Sequence, residues 1–121
     1  MRYLPLLLLS ACQLTEPSGQ PMPVSPATVQ AEALADSCAT RHGLTMKYPE
    51  LRYFTVPGLS FTIGKLEVVG YGQGGQVWLA DAYRDAIPLI AHEVLHSRYG
   101  LPGIPPAPHP QIFRDCGLDP L

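Results

Sequence analysis

Charge is scarce in this sequence: Asp, Glu, Lys and Arg make up 15% of its 121 residues, and the formal net charge is −2. No Lys/Arg cluster supplies the basic footprint on which nucleic-acid binding depends, so nucleic acid is excluded as a partner. The one apolar run at the N-terminus is far shorter than the roughly 20 residues a helix needs to span a bilayer. There is no internal repeat, no heptad run and no phosphate-binding glycine motif. Solenoids, coiled coils and glycine-loop nucleotide enzymes are therefore excluded. Cysteine is limited to Cys12, Cys38 and Cys116, an odd number that leaves one to explain.

What the chain has in quantity is proline and glycine. Fourteen Pro and eleven Gly imply a loop-rich protein whose regular elements are few and short. The length suits one domain. With the N-terminal segment set aside, roughly 90 to 100 residues remain for a core, near the lower end of comfortable domain sizes, so a staple or a metal helps.

The start of the chain combines one positive charge at Arg2, a short apolar stretch from Leu4 to Leu9 broken by Pro5, and Leu9-Ser10-Ala11-Cys12. This resembles the lipobox of bacterial lipoprotein precursors, which implies that Cys12 is acylated and begins the mature chain. Residues 1–11 are then a signal peptide. Residues 12–26 are the acylated Cys and a Pro-rich tether, in which repeated proline forbids helix and sheet pairing. Residues 27–121 form the folded domain. The expected location is the bacterial cell envelope, with the domain lipid-anchored to a membrane and facing the periplasm or exterior. In such an oxidising compartment Cys38 and Cys116 form an even pair, and a disulfide between them is expected. Two buried thiols or a thiolate metal ligand are the alternatives.

The folded part reads as α+β. A first helix is predicted over 27–43, with Val29, Ala33 and Leu34 on its apolar face, Ala31, Cys38 and Ala39 nearby, and Gly43 as its stop. Residues 51–56 predict a strand that ends at Pro57-Gly58. Residues 66–71 and 76–80 predict a hairpin around the Gly-rich 72–75. The sheet so formed is small, antiparallel or mixed. Asp85 is the expected N-cap of a second helix, with Pro88 in its first turn, an apolar stripe at Ile87, Ile90, Ala91, Val94 and Leu95, and Gly100 and Pro102 ending it. Residues 112–116 add one helical turn. Trp78 is expected in the core.

The second helix carries His92-Glu93-Val94-Leu95-His96. Residues four apart on a helix stand one turn above each other, so both imidazoles can reach one metal ion. Glu93 is offset beside His92, where its carboxylate can take a proton from a water activated by that metal. A catalytic zinc site takes three protein ligands. His109, 13 residues beyond His96 and flanked by Pro108 and Pro110, is the leading candidate for the third. Asp115 is the second candidate and His42 the third. Tyr99, Arg98 and Tyr83 are available to stabilise a developing oxyanion. The 76–80 strand is expected at a sheet edge, where a peptide could extend it.

The HEVLH sequence resembles the zinc motif of the zincin metallopeptidases. The run from His92 to Leu118, through His109-Pro110, Phe113 and Cys116-Gly117-Leu118, resembles a group of small bacterial metallopeptidases. The resemblance implies a minimal zincin-like domain with an N-terminal helix, a small sheet and an active-site helix. It also implies Zn2+ held by His92, His96 and His109, Glu93 as general base, and a peptide or protein as substrate of a monomer. The metzincin pattern is broken, because Tyr99 stands where its Gly belongs and Pro102 where its third His belongs. No Glu follows Glu93 to serve as a gluzincin ligand. The competing expectation is a non-catalytic envelope lipoprotein, a binding module with a structural or vestigial zinc site.

Overall fold

A computed structural model describes residues 17–103 and 108–121. The expected signal peptide, Cys12 and the first part of the tether lie outside the described residues.

The described residues form an α+β fold with three α-helices and two small sheets. Strand β1 (Gln20–Met22) leads into helix α1 (Pro26–Arg41). Strands β2 (Arg52–Val56), β3 (Phe61–Ile63), β4 (Leu66–Val68), β5 (Gly70–Gln73) and β6 (Gln76–Ala80) follow. A 3-10 turn (Asp81–Tyr83) connects to α2 (Ile87–Tyr99), and α3 (Gln111–Asp115) comes last.

The main sheet is mixed, in the order β1-β2-β6-β5. The β1/β2 and β5/β6 pairs are antiparallel and β2/β6 is parallel. In register, Met22, Tyr53, Val77 and Gly72 form one row across it, and Pro21, Phe54, Trp78 and Tyr71 the next. Because successive side chains point to opposite faces, the first row meets the helices and the second does not. Met22, Tyr53, Val77 and Leu79 join Ala31, Ala35, Ile90, Val94, Leu95 and Phe113 in the main core. On the other face Trp78, Ala80, Phe54 and Tyr71 pack with Phe61, Ile63 and Val68 of the β3–β4 hairpin. Covered on both faces, β6 needs its unbroken apolar Val77-Trp78-Leu79-Ala80.

Several expectations are corrected here. Gln20–Met22 lies in the segment expected to be an unpaired tether, yet it pairs with β2. Outer strands tolerate proline, so Pro21 does not prevent it. The stretch 66–71 is split: Leu66–Val68 pairs back on β3, and only Gly70 onward pairs with β6. Instead of forming an edge, β6 has neighbours on both sides, and among the described residues the outer strands are β1 and β5.

Helix α1 starts where expected, through a reciprocal cap. Ser25 Oγ accepts from the Thr28 amide at 3.2 Å, and Thr28 Oγ1 from the Ser25 amide at 2.8 Å. Its buried face follows the expectation at Ala31, Cys38 and Ala39 and departs from it at Val29 and Leu34. Val29 and Leu34 are exposed, whereas Ala31, Ala35, Cys38 and Ala39 are fully buried. Small residues let α1 approach α2 closely, and the larger aliphatics are left outside. Asp85 does not cap α2; Ala86 occupies the cap without a side-chain bond. The amide of Ala86 is used by the 3-10 turn, donating to Tyr83 O at 3.0 Å, and this carries the chain past Asp85 before the helix begins. Gly100, with φ of 67°, ends α2 as expected. No helix among the described residues is long and apolar enough to cross a membrane.

Candidate metal centre

The α2 helix positions the centre. Its spacing sets His92 and His96 on one face, and their Nε2 atoms lie 3.2 Å apart. Each ring is fixed from behind: Nδ1 of His92 donates to Leu118 O and Nδ1 of His96 to Leu101 O, both at 2.6 Å. A carbonyl can only accept, so each Nδ1 carries the proton and each Nε2 presents a lone pair. His109 completes the group, with one ligand nitrogen from each ring all within 4.8 Å of one another. Its Nδ1 faces Asp119 Oδ2 at 3.7 Å. Phe113, fully buried, underlies all three rings, with centroid separations of 4.8, 4.7 and 4.9 Å to His92, His96 and His109.

Two facing lone pairs at 3.2 Å repel unless a cation lies between them. Protonation is a poor remedy. Burial, opposed by the bond to Leu118, lowers the basicity of His92. Burial, with the charges of His92 and His109 adding to it, lowers His96 to about 4. Tetrahedral zinc with Zn–N bonds of about 2.0–2.1 Å would space ligand nitrogens by about 3.3 Å, which the His92–His96 separation matches. The donor set thus fits a borderline divalent metal such as zinc.

Glu93 is buried at 5% exposure, and its carboxylate has no hydrogen-bond or ion-pair partner among the described residues. Desolvation alone pushes its carboxyl up to about 8. It packs under β5. A Cβ on Gly70 would sit 2.9 Å from Glu93 Oε2, and one on Gly72 only 2.3 Å from the Glu93 carbonyl oxygen. The two glycines remove the side chains that would hold strand and helix apart. Gly103 does the same for His109, whose Cδ2 lies 2.4 Å from where its Cβ would stand.

The structure brings His92, His96 and His109 together and leaves the other candidate ligands outside. Asp115 and His42 pair with each other, His42 Nε2 to Asp115 Oδ2 at 3.4 Å. His42 Nδ1 also donates to Cys38 O at 3.0 Å. Cys38, His42 and Cys116 offer a second cluster of ligand atoms, but the expected Cys38–Cys116 disulfide is formed, with Cα atoms 6.0 Å apart. Two oxyanion candidates are committed elsewhere. Arg98 bonds Glu32 at 2.7 Å and Asp36 at 2.9 Å, and Tyr99 donates to Asp36 at 2.6 Å. Tyr83 stands exposed. A cleft of about 590 Å3, lined by Val24, Glu32, Asp36, Pro49, Leu51 and Arg98 among others, includes none of the three histidines.

Sequence reasoning missed the Leu101 and Leu118 carbonyls, Asp119, and the packing role of Gly70, Gly72 and Gly103. Main-chain acceptors leave no trace in residue type. Glycines at alternate positions of a strand do leave one, the mark of a close backbone approach. No family model, curated protein or solved structure matches the chain.

Proposed function

We propose that this chain is a zinc-dependent peptide hydrolase of zincin type, tethered to a membrane of the bacterial envelope by a lipid on Cys12 and acting as a monomer. The observation that carries the reading is the meeting of three histidine nitrogens, with Glu93, buried and without a partner among the described residues, directly following the ligand His92 on α2. His92, His96 and His109 would hold the metal, and Phe113 packs against all three rings. Bound zinc supplies Lewis acidity, polarising the scissile carbonyl and acidifying water. Glu93 takes the proton of the attacking water and returns it to the leaving amine nitrogen. Its burial gives it the raised proton affinity such a carrier needs near neutral pH. Packed against Glu93 and outermost in the sheet among the described residues, β5 takes the peptide-pairing role expected of β6.

The test is zinc stoichiometry together with cleavage of a broad peptide library. One zinc per chain and cleavage that is lost in Glu93→Gln support the reading. A non-catalytic binding module with a structural zinc is favoured by one observation, the separation of the 590 Å3 cleft from the histidines. Zinc-loaded wild type that cleaves nothing would select it.

A further inference from the structure

Of the three histidines, His109 has the least support from the backbone. His92 and His96 ride on one helix, and each is pinned by a main-chain carbonyl at 2.6 Å. His109 precedes α3 between two prolines, and no carbonyl meets its ring among the described residues. Packing against Phe113 and the open Cα of Gly103 sets how deep the ring lies. It does not set which nitrogen faces the other two histidines.

A carboxylate stands where the carbonyls stand for the other rings. Asp119 Oδ2 lies 3.7 Å from His109 Nδ1 and is itself approached by Arg114 at 4.0 Å. The residue before it, Leu118, is buried at 1% exposure and supplies the carbonyl that fixes His92. Two consecutive residues of the C-terminal segment therefore address two of the three ligand rings. At 3.7 Å the contact is too long for a hydrogen bond, and it sets the Asp119 carboxylate against the Nδ1 side of the ring. Its influence is electrostatic: the negative charge draws Nδ1–H toward itself, which leaves Nε2 as the free lone pair. A cation at Nε2 makes that N–H more acidic and strengthens the attraction.

We infer that Asp119 is the positioning residue for the third ligand, orienting the His109 ring so that its Nε2 faces the metal; this rests on the metal reading above. Carboxylates behind metal-bound histidines act in this way, and their loss typically costs about 10- to 100-fold in metal affinity.

The experiment measures zinc affinity of the full chain by chelator competition, and the ligand-field spectrum of its cobalt-substituted form. The proteins compared are wild type, Asp119→Ala, Asp119→Asn and Asp115→Ala. Asp119→Ala should bind zinc about 10- to 100-fold more weakly and show an altered cobalt spectrum. Asp119→Asn, which keeps an acceptor oxygen but not the charge, should fall between Ala and wild type, and it carries the test if the Ala variant does not fold. Asp115→Ala, whose partner is His42, should match wild type. A role confined to holding the fold would leave the cobalt spectrum of the folded variants unchanged. Wild-type affinity and spectrum in the folded Asp119 variants would overturn this inference and leave the metal reading standing. A wild-type chain that binds no zinc would overturn both.

Discussion

His92 and His96 direct their Nε2 lone pairs at each other across 3.2 Å while both Nδ1–H groups are engaged by carbonyls. A divalent cation bound between the two Nε2 atoms would turn this repulsion into attraction. Zinc at a thousand times its dissociation constant should therefore stabilise the fold by about 4 kcal/mol. A chelator should reverse the gain. Denaturant titrations with and without zinc measure it, and the gain should vanish in His92→Ala. An equal gain in that variant would place the zinc elsewhere.

Gly72→Ala should be costly although it adds only one methyl group. Its Cβ would meet the backbone carbonyl of Glu93 at 2.3 Å, and a helix backbone cannot move aside as a side chain can. The strand must shift, at a cost of about 1–3 kcal/mol for an overpacked site. The midpoint of denaturant unfolding checks this, and an unchanged midpoint would mean that β5 is free to move away from α2.

How much of this was legible in sequence follows from where each feature is encoded. The α2 helix, its Gly100 stop and the His92/His96 pair are written in local spacing, so they could be read directly. The disulfide between Cys38 and Cys116 followed from compartment chemistry. The buried face of α1 was misread in part, because hydrophobicity points to Val29 and Leu34, whereas close packing selected Ala31, Ala35, Cys38 and Ala39. Strand β1 was missed because proline was taken as an absolute bar to pairing, when what decides is whether the strand is inner or outer. The Leu118 carbonyl meets His92 across a separation of 26 residues, a contact that only the tertiary fold makes.

Arg98→Met should destabilise the protein and leave zinc affinity unchanged. Arg98 is buried at 7% side-chain exposure and ties α2 to Glu32 and Asp36 of α1. Its removal leaves two carboxylates facing each other. A broken buried pair costs about 3–5 kcal/mol, and the lower end applies because both carboxylates keep some contact with water. Urea unfolding and chelator competition give the two numbers. Lost zinc binding in a folded Arg98→Met protein would connect this network to the metal centre.

Reducing the Cys38–Cys116 disulfide should cost about 2–5 kcal/mol. The bridge closes a separation of 78 residues and fastens the segment that carries Phe113 and Leu118. Zinc affinity should fall in parallel, since the Leu118 carbonyl orients His92. Mass analysis of the oxidised, folded protein should find neither thiol free, and two free thiols in the folded form would remove the bridge from the stability of this domain.

Glu93→Gln separates a catalytic carboxylate from a merely buried one, through two readouts of opposite sign. In the metal-free protein, burial raises the Glu93 carboxyl from 4.5 to about 8. The folded state therefore holds its proton more tightly than the unfolded chain does. The resulting stability is full below pH 4.5 and is lost as pH rises to about 8. His92 and His96, whose basicity is lowered from 6.5, act in the other direction, costing stability as pH falls below 6.5. Gln cannot ionise, so metal-free Glu93→Gln should lose the alkaline decline, keep the acidic one, and exceed wild type in stability at pH 8. In the zinc-loaded protein the same change should leave metal content intact and lower peptide cleavage by about 10²- to 10⁴-fold, the usual worth of a positioned acid-base group. Stability curves across pH and cleavage at matched zinc content test both halves. A Gln variant that is stabilised at pH 8 yet cleaves as fast as wild type would mark Glu93 as a buried carboxylate with no part in proton transfer.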